Sequence, residues 1–159
     1  MSCDILPTDV PGPHIQGDIR DVDLTQYDLM IAHPPCTHLA VSGAAWFKYK
    51  EKEQKEALEF VQWLMDAPVP KIAIENPVSV ISTRIRKPEQ IIHPWQFGHA
   101  EEKTTCLWLK DLPKLEYTNV IPGKHVNKLH RLGPSKDRWK LRSVTFSGIA
   151  NAMADQWSK

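Results

Sequence analysis

Few of the features that would place this chain quickly are present. The three cysteines, at positions 3, 36 and 106, are odd in number and share no short spacing. That argues against a disulfide framework and fits a reducing compartment. No apolar run approaches the ~20 residues of a membrane span, and Met1-Ser2-Cys3-Asp4 has neither the basic nor the apolar region of a signal peptide. A cytoplasmic protein without membrane contact is therefore expected. With a net charge of +1, any contact with nucleic acid must be local rather than global. The seven glycines (12, 17, 43, 98, 123, 133 and 148) never stand two apart, so no Gly-x-Gly turn exists. Repeats, linkers and low-complexity tracts are also missing, and 159 residues suit a single domain, 1–159.

What is present is a pair of apolar runs that each end in a chemically loaded loop. Leu29-Met30-Ile31-Ala32 leads into His33-Pro34-Pro35-Cys36-Thr37, and Lys71-Ile72-Ala73-Ile74 leads into Glu75-Asn76-Pro77. Cys36 and Glu75 are 39 positions apart, room for a loop, one long helix and the next strand. Tyr27–Ala32 and Lys71–Ile74 read as buried strands. Glu51–Ala67 repeats apolar residues at three- and four-residue steps until Pro68 and Pro70 end it, which predicts a helix. Weaker strands are expected at Cys3–Leu6, His14–Gln16 and Thr104–Leu109, and a last helix near Phe146–Trp157. Strand and helix alternation with loops at one edge implies an α/β fold with a mostly parallel sheet and flanking helices. A nucleophile and an acid at the carboxyl ends of two strands is how an open α/β sheet builds a site.

Two prolines keep Cys36 out of a helix and on a stiff turn. A random cysteine is more often an inert core residue; the strand before this one and the acid on the next shift the reading toward a nucleophile. Burial at a strand end should raise the pKa of Glu75, leaving it partly protonated and able to donate to a ring nitrogen. Taken alone, a cap or an ion pair with arginine explains such a glutamate equally well. The extended reading of Ser82–Arg86 places Arg84 and Arg86 on one side, where two guanidinium groups suit a phosphate or a base carbonyl.

In this order, Gly17-Asp18-Ile19, the strand Tyr27–Ala32, Pro35-Cys36, Glu75-Asn76 and Arg84-x-Arg86 resemble the motifs of cytosine-C5 DNA methyltransferases. More narrowly, His33–Trp46, Ile81–Gln90 and Thr105-Cys106-Leu107-Trp108-Leu109 look like small methyltransferase-like proteins encoded by bacteriophages, and the likeness covers most of the chain. The resemblance implies an incomplete S-adenosylmethionine methyltransferase fold of Rossmann-like type, in the bacterial host cytoplasm. It implies that a flipped cytosine receives the Cys36 thiolate at ring carbon six, and that carbon five then takes a methyl group from S-adenosyl-L-methionine. Glu75, Arg84 and Arg86 would complete the catalytic set. Asn76 and Thr37 would contact the substrate, and Asp4, Asp18 and Pro35 the cofactor.

The chain departs from that pattern in ways with consequences. The family's aromatic-x-Gly-x-Gly cofactor loop is absent, so weak cofactor binding is expected. The chain resembles the family from about its second strand onward, which implies a missing N-terminal segment or an oligomer partner. Pro-Cys-Gln appears as Pro-Cys-Thr, and Glu-Asn-Val as Glu-Asn-Pro. In place of a target recognition domain stands a small irregular region, 87–145, with Lys124, Lys128, Arg131, Lys136, Arg138, Lys140 and Arg142 as a basic stretch. The expected partner is DNA or single-stranded nucleic acid, and a non-catalytic nucleic-acid or nucleotide binder is the alternative. A zinc site from His33, Cys36 and His38, with Cys106, His93 or His99, ranks lower because the deaminase motifs are missing; no metal is expected.

Overall fold

The computed structural model describes residues 1–127, 133, 135, 136 and 138–158. Lys128, Arg131 and the side chain of Arg138 from the basic stretch lie outside the described set. Strands β1 (Ser2–Asp4) and β2 (His14–Gln16) form a parallel pair. The main sheet joins β3 (Leu29–Ala32), β4 (Lys71–Pro77), β5 (Gln90–Ile92) and β6 (Thr105–Lys110) in the spatial order β3-β4-β6-β5. The helices are α1 (Glu51–Met65), the one-turn α2 (Ile81–Arg84), α3 (Arg138–Ser143) and α4 (Ser147–Trp157).

The fold is mixed α/β, and the mostly parallel main sheet expected from the sequence is not found. Only β3 and β4 run parallel in it; β6 is antiparallel to both β4 and β5. β3, β4 and β5 share one direction, and β6 alone runs against them, inserted between β4 and β5. The reason is connectivity: residues 93–104 return the chain from β5 to its neighbour β6 without the helical crossover that a parallel pair needs, so the two pair antiparallel. Ser82–Arg86 differs too: its first three residues belong to α2, so Arg84 and Arg86 do not share one side of an extended segment.

Alternation along β4 and β6 explains the continuous apolar runs. Ile72, Ile74, Cys106 and Trp108 join Val61 and Leu64 of α1 in one buried cluster. Ala73, Leu107 and Leu109 join Ile149, Ala152, Met153 and Trp157 of α4 in another. Successive side chains point to opposite faces, so both faces must be apolar once each is covered by a helix. Each such aliphatic side chain contributes roughly 1.5–3 kcal/mol when fully buried. The two large indoles also satisfy their polar edges. Trp108 Nε1 donates to the Arg86 carbonyl at 2.8 Å and Trp157 Nε1 to the Pro113 carbonyl at 2.9 Å.

α4 is seated through its glycine. A Cβ at Gly148 would lie 1.8 Å from the Phe97 carbonyl oxygen, and the Gly148 amide donates to His99 Nε2 at 3.1 Å. In an open helix, glycine to alanine gains up to ~1 kcal/mol from propensity. Here the clash is with backbone and cannot relax cheaply. Gly148→Ala is expected to destabilise the fold by about 1–3 kcal/mol, measured by urea unfolding; a stabilised variant would show that α4 does not sit against Phe97.

Candidate active site

The site begins with register. Leu29 pairs with Lys71 and Ala32 with Ile74, and the same register carried further sets His33 opposite Glu75 and Pro34 opposite Asn76. Both pairs touch. His33 Nδ1 lies 3.2 Å from Glu75 Oε2, and Asn76 Nδ2 donates to the Pro34 carbonyl at 2.9 Å. Asn76 is almost completely buried, and its Oδ1 has no partner among the described residues. A bonded Nδ2 beside an unsatisfied acceptor fixes the amide's orientation and leaves one acceptor for another donor.

Beyond the strands the two loops are laced together. Val41 N donates to Val78 O and Val80 N to Leu39 O, both at 3.0 Å, while Ala40 bridges Ser79. Leu39 anchors this zipper in the core. The Cys36 carbonyl accepts from the amides of Leu39 and Ala40, so the cysteine opens a tight turn with its residue exposed. Thr37 beside it is exposed as well. Cys36 thus lies just beyond β3 and Glu75 near the carboxyl end of the neighbouring parallel strand β4, with the loops that follow interlocked, and Glu75 is engaged with His33.

Glu75 corrects an expectation. Its side chain is only 15 % exposed, and burial does push its pKa up. The His33 hydrogen bond, the charges of His33 and Lys103, and the Thr105 hydroxyl outweigh that and hold the carboxyl below its ordinary value. It is therefore ionised near neutral pH and acts first as an acceptor. Lys103 in turn donates to the Arg142 carbonyl at 3.2 Å, tying the end of α3 to the site. Burial and the nearby Glu75 charge push the Cys106 thiol up, leaving it the less reactive of the two thiols around the site.

The remaining candidates are dispersed. Asp4, Asp18, His33 and Pro35 all border one cleft of about 1040 Å³ between β1 and β3. Asp18 is occupied there: it caps the following turn and holds the Arg20 guanidinium at 2.6 Å, which lowers its pKa to about 2. Asp4 Oδ1 accepts from the Leu6 amide at 2.8 Å. Arg84 is exposed at the end of α2. Arg86 is built into the fold, bonded to Glu89 and donating to the Leu109 carbonyl at 3.2 Å. Leu109 pairs with Ala73, nearer the amino end of β4 than Glu75 is. Among the described residues, no group of three His, Cys, Asp or Glu side chains is placed to hold a metal ion.

Lys103 and Thr105 are site residues that sequence reasoning did not assign, and His33 entered it only as a zinc candidate. The parallel register of the two strands was a sufficient signal for His33. Thr105 and Lys103 reach Glu75 only through the antiparallel β6, which chain order does not reveal.

Because native Glu75 ionises below the ordinary carboxyl range, its contacts add stability that is complete above the unfolded pKa. That stability is lost as pH falls through the native value. His33→Ala removes a hydrogen bond and a neighbouring charge, so the Glu75 midpoint should move up and acid unfolding should begin at higher pH. Carboxyl carbon NMR titration reads this directly; an unmoved midpoint would assign the effect to Lys103 and Thr105 alone.

No protein-family model and no curated protein matches this chain.

Proposed function

We propose that this chain carries the base-handling half of a DNA cytosine-C5 methyltransferase. The observation that carries the reading is that Cys36 follows directly on β3 while Glu75 stands near the carboxyl end of β4, its parallel partner. In this reading a flipped cytosine enters beside Cys36. The Sγ–carbon-six bond forms as the ring double bond gives up its electron pair, which localises toward the ring nitrogen and takes a proton there. Ionised Glu75 accepts from the exocyclic amino group. His33, 3.2 Å from it, is the group placed to return a proton to the carboxyl for delivery to the ring. Carbon five is left electron-rich, the state from which this family accepts a methyl group.

The residues assigned to S-adenosylmethionine do not fit it as they stand. Asp18 is neutralised by Arg20, Asp4 is turned into its own loop, and no Gly-x-Gly backbone is available to approach the cofactor. The same observation favours the second reading, a nucleic-acid binder that keeps the base pocket and does not transfer methyl groups.

Exchange of the hydrogen at cytosine carbon five separates the readings, because reversible thiolate addition lets that carbon take a solvent proton and give up its own without a methyl donor. Release of tritium from DNA carrying it at that carbon is expected with the intact chain, lost in Cys36→Ser and retained in Cys106→Ser. Loss in Cys106→Ser with retention in Cys36→Ser would reassign the nucleophile, while salt-sensitive binding without any release would leave the binder.

The two arginines should behave differently. Arg84→Ala should weaken binding of cytosine-containing single strands by about 1–3 kcal/mol, the usual loss for a charged hydrogen bond, with a shallower salt dependence. Arg86→Ala should instead lower the urea midpoint, since its guanidinium bonds Glu89 and Leu109. Equal effects of both on binding alone would return Arg86 to the substrate.

A further inference from the structure

The cleft of about 1040 Å³ is bordered along one side by β1 and along the other by β3. Among the described residues, β1 pairs with β2 alone and β3 with β4 alone. Two strands thus each present an open edge of backbone donors and acceptors to the same space. Such edges template pairing with another strand. The need is unequal on the two sides. β1 and β2 are three residues each and parallel, a pairing that ordinarily exists only inside larger, covered sheets.

The lining fits the same occupant. Phe60 and Trp63 of α1, partly buried and stacked with ring centroids 6.1 Å apart, face the cleft, and the exposed Ile5 and Ile31 border it. Its charged side chains are four carboxylates, of Asp4, Asp18, Glu56 and Glu59, against the guanidinium of Arg20, which Asp18 already holds. Small-ligand sites offer convergent polar side chains; here Asp4 and Asp18 are spent on their own chain and the unmet demand is backbone.

We propose that this cleft receives one extended strand from a different protein, paired through its backbone to both β1 and β3, apolar toward α1 and carrying lysine or arginine at the acidic rim. The inference does not depend on the chemistry assigned to Cys36.

The test uses the full chain and a synthetic peptide of about six residues, alternating valine and isoleucine with threonine and ending in two lysines. Fluorescence anisotropy should report saturable binding, and hydrogen exchange should show protection at 2–4 and at 29–32 together. Methylating alternate peptide nitrogens should abolish binding. Ile31→Lys, at an exposed position, should weaken it at least about tenfold while the far-ultraviolet circular dichroism is unchanged. Absence of binding, protection of one strand only, or binding indifferent to nitrogen methylation would each overturn the proposal. A dimer in sedimentation whose formation protects the same amides would give the cleft to a second copy of the chain, and so would also overturn it.

Discussion

The parallel pairing of β3 with β4 is the constraint on which the rest of the site depends. It fixes which residues emerge side by side where the strands stop, setting His33 against Glu75 and Pro34 against Asn76. The contact between Asn76 and Pro34 is as much a continuation of the ladder as a loop interaction. A one-residue slip would turn every side chain of β3 to the other face. It would remove Met30 and Ala32 from the α1 side of the core and separate the imidazole from the carboxylate. Core packing and site geometry therefore select the same register.

The charge state of Glu75 shows how a partly buried carboxylate can stay ionised. Desolvation is the largest single influence on it and acts toward protonation. Four favourable contacts from three residues, on β6, on the segment before it and beyond β3, together exceed that penalty. A carboxylate settled in this way is a fixed negative charge within the site, which favours ligands that bring donors toward it. It also makes His33 a functional neighbour rather than a spectator of the Pro-Pro-Cys turn.

Much of this was legible from residue pattern. The α1 periodicity, the stop at Pro68, the apolar runs of β3 and β4 and the final helix all appear within one to three residues of where the sequence put them. What was hidden was direction and reach. Nothing in Thr105–Lys110 distinguishes a parallel from an antiparallel strand, because both faces of β6 are buried in either case. Ser82–Arg86 carries β-branched residues that suit an extended chain, yet Val80 O and Ile81 O accept from the amides of Arg84 and Ile85 and wind it into a turn. Asp18 read as a ligand-binding acid because its nearest cation, two residues away, forms a contact that spacing alone does not disclose.

The seating of α4 on Phe97 has a consequence for how the domain can vary. Gly148 is the point where helix and loop backbones nearly touch, so the helix cannot be lifted there without drawing Met153 and Trp157 off the sheet. Only the outer surface of α4 is free of this constraint, at residues such as Ala150, Asn151 and Ala154, which are exposed. The inner surface can change only in concert with the 97–99 loop. The helix and that loop form one inheritable unit, although 48 residues separate Ser147 from the His99 ring that it meets.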